Sequence, residues 1–241
     1  MENATRCGVQ NKLLEKFVDK LRRVYAGGLV SVILYGSAAS GEFADKHSNI
    51  NILIVLADTG LANIAKSSTL FSLGRFKQIT PVFFTEEYIR TSTDVFPIEF
   101  LDMKENYRVL YGKDLLKDLP IDTRNLRFQC EQELKSKLIN IKSRYLMTRN
   151  RPELERLLFR SLTSTVHIFR NILRLKGREA PYRKAEILSR VERELSVDTT
   201  VLNEILYAKT KNMKLTYSDI DGLLSGLVKE LEAIIKIVDT M

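Results

Sequence analysis

The chain has 241 residues, 44% of them hydrophobic, and a net charge of +8, enough for one large domain or two small ones around a well-buried core. No apolar run approaches the roughly 20 residues of a helical membrane crossing, and Met1-Glu2-Asn3 lacks the basic and apolar stretches of a secretion signal, so the expected location is the cytoplasm with no membrane partner. Cys7 and Cys130 are far apart and lack metal-ligand spacing, which argues against a disulfide framework or a zinc site.

In chain order, Leu13, Leu14, Phe17, Val18, Leu21 and Val24 recur at three- and four-residue steps, predicting an amphipathic helix over Asn11 to Tyr25 that Gly27-Gly28 ends. Leu29 to Tyr35 reads as a short apolar strand running into Gly36-Ser37. Ile50 to Leu56 is a second strand, apolar almost throughout and so expected to be covered on both faces. Leu61 to Leu73 predicts a helix, Pro81 to Phe84 a strand, Glu86 to Thr93 a short helix, and Ile98 to Lys104 and Tyr107 to Tyr111 two further strands closed by Gly112. This mixture indicates an α/β (α+β) domain with a mixed sheet.

Beyond Pro120 the pattern changes. Asn125–Met147, Pro152–Leu175, Tyr182–Leu195, Thr200–Ala208 and Ser218–Val238 all carry helical periodicity, with Pro152 suited to a first turn and Gly177 to a helix end. The expected organisation is an N-terminal α/β domain over residues 1–116 and an all-α helical bundle over 117–241. Charge divides unevenly too: the first 120 residues hold 15 Lys and Arg against 14 Asp and Glu, and the remainder 23 against 16. The basic second half is expected to meet a nucleotide, nucleic acid or acidic protein, or to be simply a solvated helical surface.

The segment Leu34-Tyr35-Gly36-Ser37-Ala38-Ala39-Ser40-Gly41-Glu42-Phe43 leads to Ser48-Asn49-Ile50-Asn51-Ile52-Leu53-Ile54-Val55. It resembles the signature of the DNA-polymerase-β-like nucleotidyltransferase superfamily, which includes the aminoglycoside (kanamycin) nucleotidyltransferases. There, an apolar strand ends in Gly-Ser and a second strand opens with Asp-x-Asp. The resemblance implies that Gly36 and Ser37 hold a triphosphate: glycine admits close approach, and serine offers a hydroxyl and an amide. It also implies that a magnesium-binding pair should stand at positions 49 and 51, two residues apart on one strand face. This chain has Asn49 and Asn51. An amide oxygen lacks the charge that a hard divalent cation needs, and two such losses at several kcal/mol each predict metal affinity lower by orders of magnitude.

The third carboxylate implied by the resemblance is Glu99, in Pro97-Ile98-Glu99-Phe100-Leu101-Asp102, with Asp102 as the alternative. Glu42, Asp45 and His47 lie in the polar stretch before Asn49, where solvated side chains are expected. Arg160 and His167 share one face of a predicted helix in a spacing used by some helical ribonucleases; a histidine satisfied in the core or at an interface is the expected role. Basic residues such as Lys135, Arg144, Arg170, Arg174 and Arg183, with Tyr145, Phe169 and Tyr182 interspersed, are candidates to line a nucleotide cleft.

The leading expectation is therefore a catalytically degenerate nucleotidyltransferase that keeps nucleotide or partner binding. The alternatives are an active enzyme moving a nucleoside monophosphate to a hydroxyl, with magnesium as cofactor, and an interaction module without a ligand. Self-association is left open.

Overall fold

The protein is described by a computed structural model covering residues 2–39, 50–72, 74–148 and 150–241. Its chain divides into two compact units, Met1–Asp122 and Thr123–Met241.

In the first unit, α1 (Glu2–Tyr25) leads into β1 (Leu29–Tyr35), β2 (Ile50–Leu56), α2 (Leu61–Ala65), α3 (Ser68–Ser72), β3 (Ile79–Phe84), α4 (Glu86–Thr91), α5 (Pro97–Glu105) and β4 (Tyr107–Gly112). The four strands form one mixed sheet in the order β3-β2-β1-β4. β1 runs antiparallel to both β2 and β4, while β2 and β3 are parallel.

Alternation of side chains along the strands sends neighbours to opposite faces. Val32, Leu34, Ile52, Ile54 and Leu56 pack with Leu14, Phe17, Leu21 and Tyr25 of α1. Phe17 meets Phe71 and Phe76 edge-on, with ring centroids 5.8 and 5.2 Å apart. Ile33, Leu53 and Val55 face the other way, against Ile89 of α4 and Phe100 and Met103 of α5. Both faces of β2 are thus covered, as its sequence leads one to expect.

Two local expectations need correction. Ile98 to Lys104 is not a strand but the body of α5: Pro97 sits in the first turn, where its missing N–H costs nothing, and Glu99 in that turn suits the helix dipole. Ile98, Phe100 and Met103 are all buried, and that dense apolar run imitates a strand. Leu61 to Leu73 divides into α2 and α3 because buried Ser67 turns the chain, its hydroxyl donating to the Ile64 carbonyl (3.0 Å) and accepting from Tyr25 Oη (2.8 Å).

The second unit consists of α6 (Leu126–Met147), α7 (Arg151–Leu175), α8 (Lys184–Leu195), α9 (Thr200–Thr210) and α10 (Tyr217–Asp239). α7 is central and packs against the other four. Its end is set by Gly177 at φ +65°, whose N–H donates to the Arg174 carbonyl (2.9 Å). α10 starts with a capping box between Thr216 and Asp219. The N-terminus of α9 is capped from outside: the Glu230 carboxylate of α10 accepts from the N–H groups of Val201 (2.7 Å) and Leu202 (3.1 Å).

Candidate functional site

The turn after β1 begins at Gly36, whose φ of +75° lies where glycine alone is unstrained. Its N–H donates to the Asn106 carbonyl (2.9 Å), immediately after α5. Gly36–Ala38 form a single 3₁₀ turn, closed by the Ala39 N–H donating to the Gly36 carbonyl (2.9 Å). Helix α5 and the Gly-Ser turn are therefore tied together by backbone, not by side chains that a substitution would remove.

Pairing across the sheet decides what surrounds this turn. Asn51 stands opposite Tyr35 on β1 and Thr80 on β3, and Tyr35 in turn opposite Tyr107 on β4. Residues paired in this way point to one face, so Thr80, Asn51, Tyr35 and Tyr107 form a row across the sheet on the α5 side. Asn51 faces the turn: its side-chain nitrogen lies 3.4 Å from the point where a Cβ on Gly36 would stand. Gly36 and Asn51 thus converge. Asn49 lies outside the described residues, as do Glu42, Asp45 and His47.

The acids expected on a strand stand instead on helix α5. Glu99 is exposed in the first turn of α5. Seven residues separate it from Asn106, about 10 Å along the helix axis, against about 6 Å for Asp102. Asp102 is half-buried and near enough to Tyr35 for its charge to act on that hydroxyl. Burial, chiefly, and Asp102 together push the Tyr35 hydroxyl up to about 12, so it stays a donor. Tyr107 donates to Asp114 (3.1 Å). Asp102 therefore stands nearer than Glu99 to the end of α5 that meets Gly36.

Among the described residues, the row that holds Asn51 brings an amide and the hydroxyl-bearing Tyr35 and Thr80, whereas a hard cation prefers anionic oxygens. Among the described residues, no three His, Cys, Asp or Glu side chains gather to hold a metal ion.

Other candidates are sorted by burial. Arg170 is a structural side chain: 5% exposed, it donates from Nε to the carbonyls of Ala180 (3.0 Å) and Pro181 (3.1 Å) and lies over the Tyr182 ring. Phe169 is buried in the helical core, and His167, expected in the core or at an interface, is exposed. Tyr35 was not legible as a site residue, because its role depends on strand register and on α5; its place directly before Gly36 was the one available signal.

No family model matches the chain, and no curated protein matches its sequence. Among solved structures, the chain is similar to the spectinomycin adenyltransferase AAD(9) from Enterococcus faecialis, determined with ATP and spectinomycin. The TM-score is 0.63 at 13% identity, over 92% of this chain and 98% of that one. A toxin–antitoxin structure with AMP-PNP aligns at a TM-score of 0.31 and 17% identity, over 55% of this chain and 98% of that one, too low to bear on the fold. The chain has the nucleotidyltransferase fold: an α/β domain with a mixed sheet, followed by a helical region. Among the described residues, no helix is long and apolar enough to cross a membrane.

Proposed function

We propose that this chain is a polymerase-β-like nucleotidyltransferase that has lost nucleotide transfer and keeps the Gly36-Ser37 turn as a nucleotide-binding element. The observation that carries the reading is the amide of Asn51 lying against Gly36. At this position a carboxylate would recruit a metal to the phosphates; an amide instead offers N–H donors, which meet phosphate oxygens directly. Tyr35, held protonated and paired with Asn51, and Ser37 in the turn add hydroxyl donors. The ATP in the structure of AAD(9), which has a similar fold, supports assigning a nucleotide to this turn.

Asp102 and Glu99 on α5 oppose a triphosphate that arrives without its cation. Affinity is accordingly modest, with an expected dissociation constant of about 0.1–1 mM.

Calorimetric titration with ATP, once with magnesium and once with EDTA, tests the reading. Similar affinity in both is expected. The absence of heat at millimolar ATP in either buffer removes the nucleotide site, and pyrophosphate release from labelled nucleotide with a hydroxyl acceptor establishes an active enzyme instead. In the Asn49→Asp/Asn51→Asp variant, ATP binding should become magnesium-dependent.

A further inference from the structure

A cleft of about 500 Å³ opens in the first unit between the C-terminal half of α1 and β4, lined by Asp19, Arg22, Arg23, Ala26 and Tyr111. Asp19, Arg22 and Arg23 stand at i, i+3 and i+4, so they project from one face of α1. Ala26, in the left-handed region at φ +44°, turns the chain away at the end of that helix. Tyr111 supplies the opposite wall: it pairs with Val32 and packs against the α1 side of the sheet. Gly36 is four residues further along β1, about 13 Å, and Asn51 is on the α5 side, so the cleft is separate from the nucleotide turn.

The walls carry both signs of charge and a flat surface. The Arg22 guanidinium lies over the Tyr111 ring, 5.2 Å from its centroid, and the two together make a platform for a planar group. Asp19 comes within 4.0 Å of Arg22, with both side chains more than half exposed. That is too long for a hydrogen bond, and an exposed pair of this kind is worth little. Arg23, one helical turn beyond Asp19, is exposed as well.

We infer that this cleft binds a free aromatic α-amino acid. Two neighbouring guanidiniums present paired donors that fit a carboxylate. Asp19 accepts from the ammonium, and the aromatic ring lies on the platform of Arg22 and Tyr111. A small inorganic anion would fill little of the cleft and would meet Asp19 as a like charge; an amine alone would meet two arginines. A ligand with an acid and an amine a few ångströms apart uses all three charged side chains, and the cleft has the volume of a small-molecule site. Because the walls are open to solvent, binding is modest, with an expected dissociation constant of about 1 mM.

The chain contains no tryptophan, so the fluorescence of L-tryptophan, excited where tyrosine is silent, reports its own binding to the full chain. Indolepropionate, which lacks the ammonium, and tryptamine, which lacks the carboxylate, are titrated beside it; both should bind more weakly than tryptophan. Arg23→Gln should weaken tryptophan and indolepropionate about tenfold and leave tryptamine no weaker. Asp19→Asn should weaken tryptophan and tryptamine about threefold and leave indolepropionate no weaker. Lys12→Gln removes an exposed charge about 16 Å from Arg23 along α1 and should change none of the three.

Absence of a saturable signal at millimolar tryptophan overturns the proposal. So does indolepropionate binding as tightly as tryptophan, which leaves a site for anions alone, and so does an equal loss from Lys12→Gln, which reduces the effect to net charge. ATP titration of Arg23→Gln is expected to match the unaltered chain, so the two sites succeed or fail separately; a loss of ATP affinity in that variant would assign the cleft to the nucleotide instead.

Discussion

Replacing Gly36 with alanine separates backbone conformation from ligand access. At φ +75° an L-residue is strained by about 1–2 kcal/mol. The added methyl introduces no clash, because the nearest atom, Asn51 Nδ2, is at 3.4 Å, ordinary contact. The N–H donated to Asn106 (2.9 Å) is retained as well. The unit Met1–Asp122 unfolds with an entropy of about 2.1 cal/mol/K per residue, so this strain lowers its melting temperature by about 4–8 °C. That methyl also stands where a phosphate must approach Asn51, so ATP affinity should fall at least tenfold in a folded chain. Thermal unfolding by circular dichroism and titration with ATP in EDTA read the two effects independently. Gly28→Ala is the control, since no atom lies within 4 Å of its Cβ position. Unchanged ATP affinity in Gly36→Ala would remove this turn from the site. A loss above about 4 kcal/mol would contradict the open space beside it.

Gly112→Ala should be far more damaging: its Cβ would stand 2.0 Å from the Val30 carbonyl oxygen, at φ +79°. A loss of about 3 kcal/mol or more, with hydrogen-exchange protection lost along β4, is expected; a change below 1 kcal/mol refutes that geometry. Glu230→Ala leaves the N–H groups of Val201 and Leu202 without their acceptor and should destabilise by about 2–3 kcal/mol, with faster exchange in the first turn of α9. Burial raises the Glu230 carboxyl above its usual range, so the folded chain holds that proton more tightly than the unfolded one. Its favourable contribution is therefore full below the ordinary glutamate value and is lost as pH rises through the raised one. Against Glu230→Gln in urea titrations, the wild type should gain relative stability as pH falls from 7 toward 4.5; the opposite trend refutes the assignment. Burial also pushes the Cys130 thiol up to about 12, Arg174 opposing only in part. In a Cys7→Ser background the native chain should resist thiol reagents at pH 8 and react on unfolding; rapid native labelling would show that the thiol is accessible.

Local pattern carried much of the fold. β1 and β2 were legible because each is a β-branched apolar run bounded by turn residues, and the helices after Pro120 because long amphipathic periodicity has few alternative readings. α5 was misread: when a short helix is covered on more than one side, its apolar positions lose their period, and Ile98, Phe100 and Met103 then imitate a buried strand. The preference for Glu99 over Asp102 rests on that strand reading, since an apolar-acidic-apolar triplet defines one face of a strand and not of a helix.

Residue order alone determined the strand, Gly-Ser turn and strand unit, the missing charge at Asn51, and the change to helices beyond the α/β region. Each of these is written within a few consecutive positions. Tertiary structure decided that Glu99 and Asp102 stand on a helix, that Tyr35 shares a face with Asn51, and that Arg170 is structural while Arg160 faces solvent. Those outcomes depend on Phe100 and Met103 packing against Ile33 and Leu53, and on β2 pairing with both β1 and β3. Such contacts join segments dozens of residues apart, so their geometry is encoded in no single stretch of the chain.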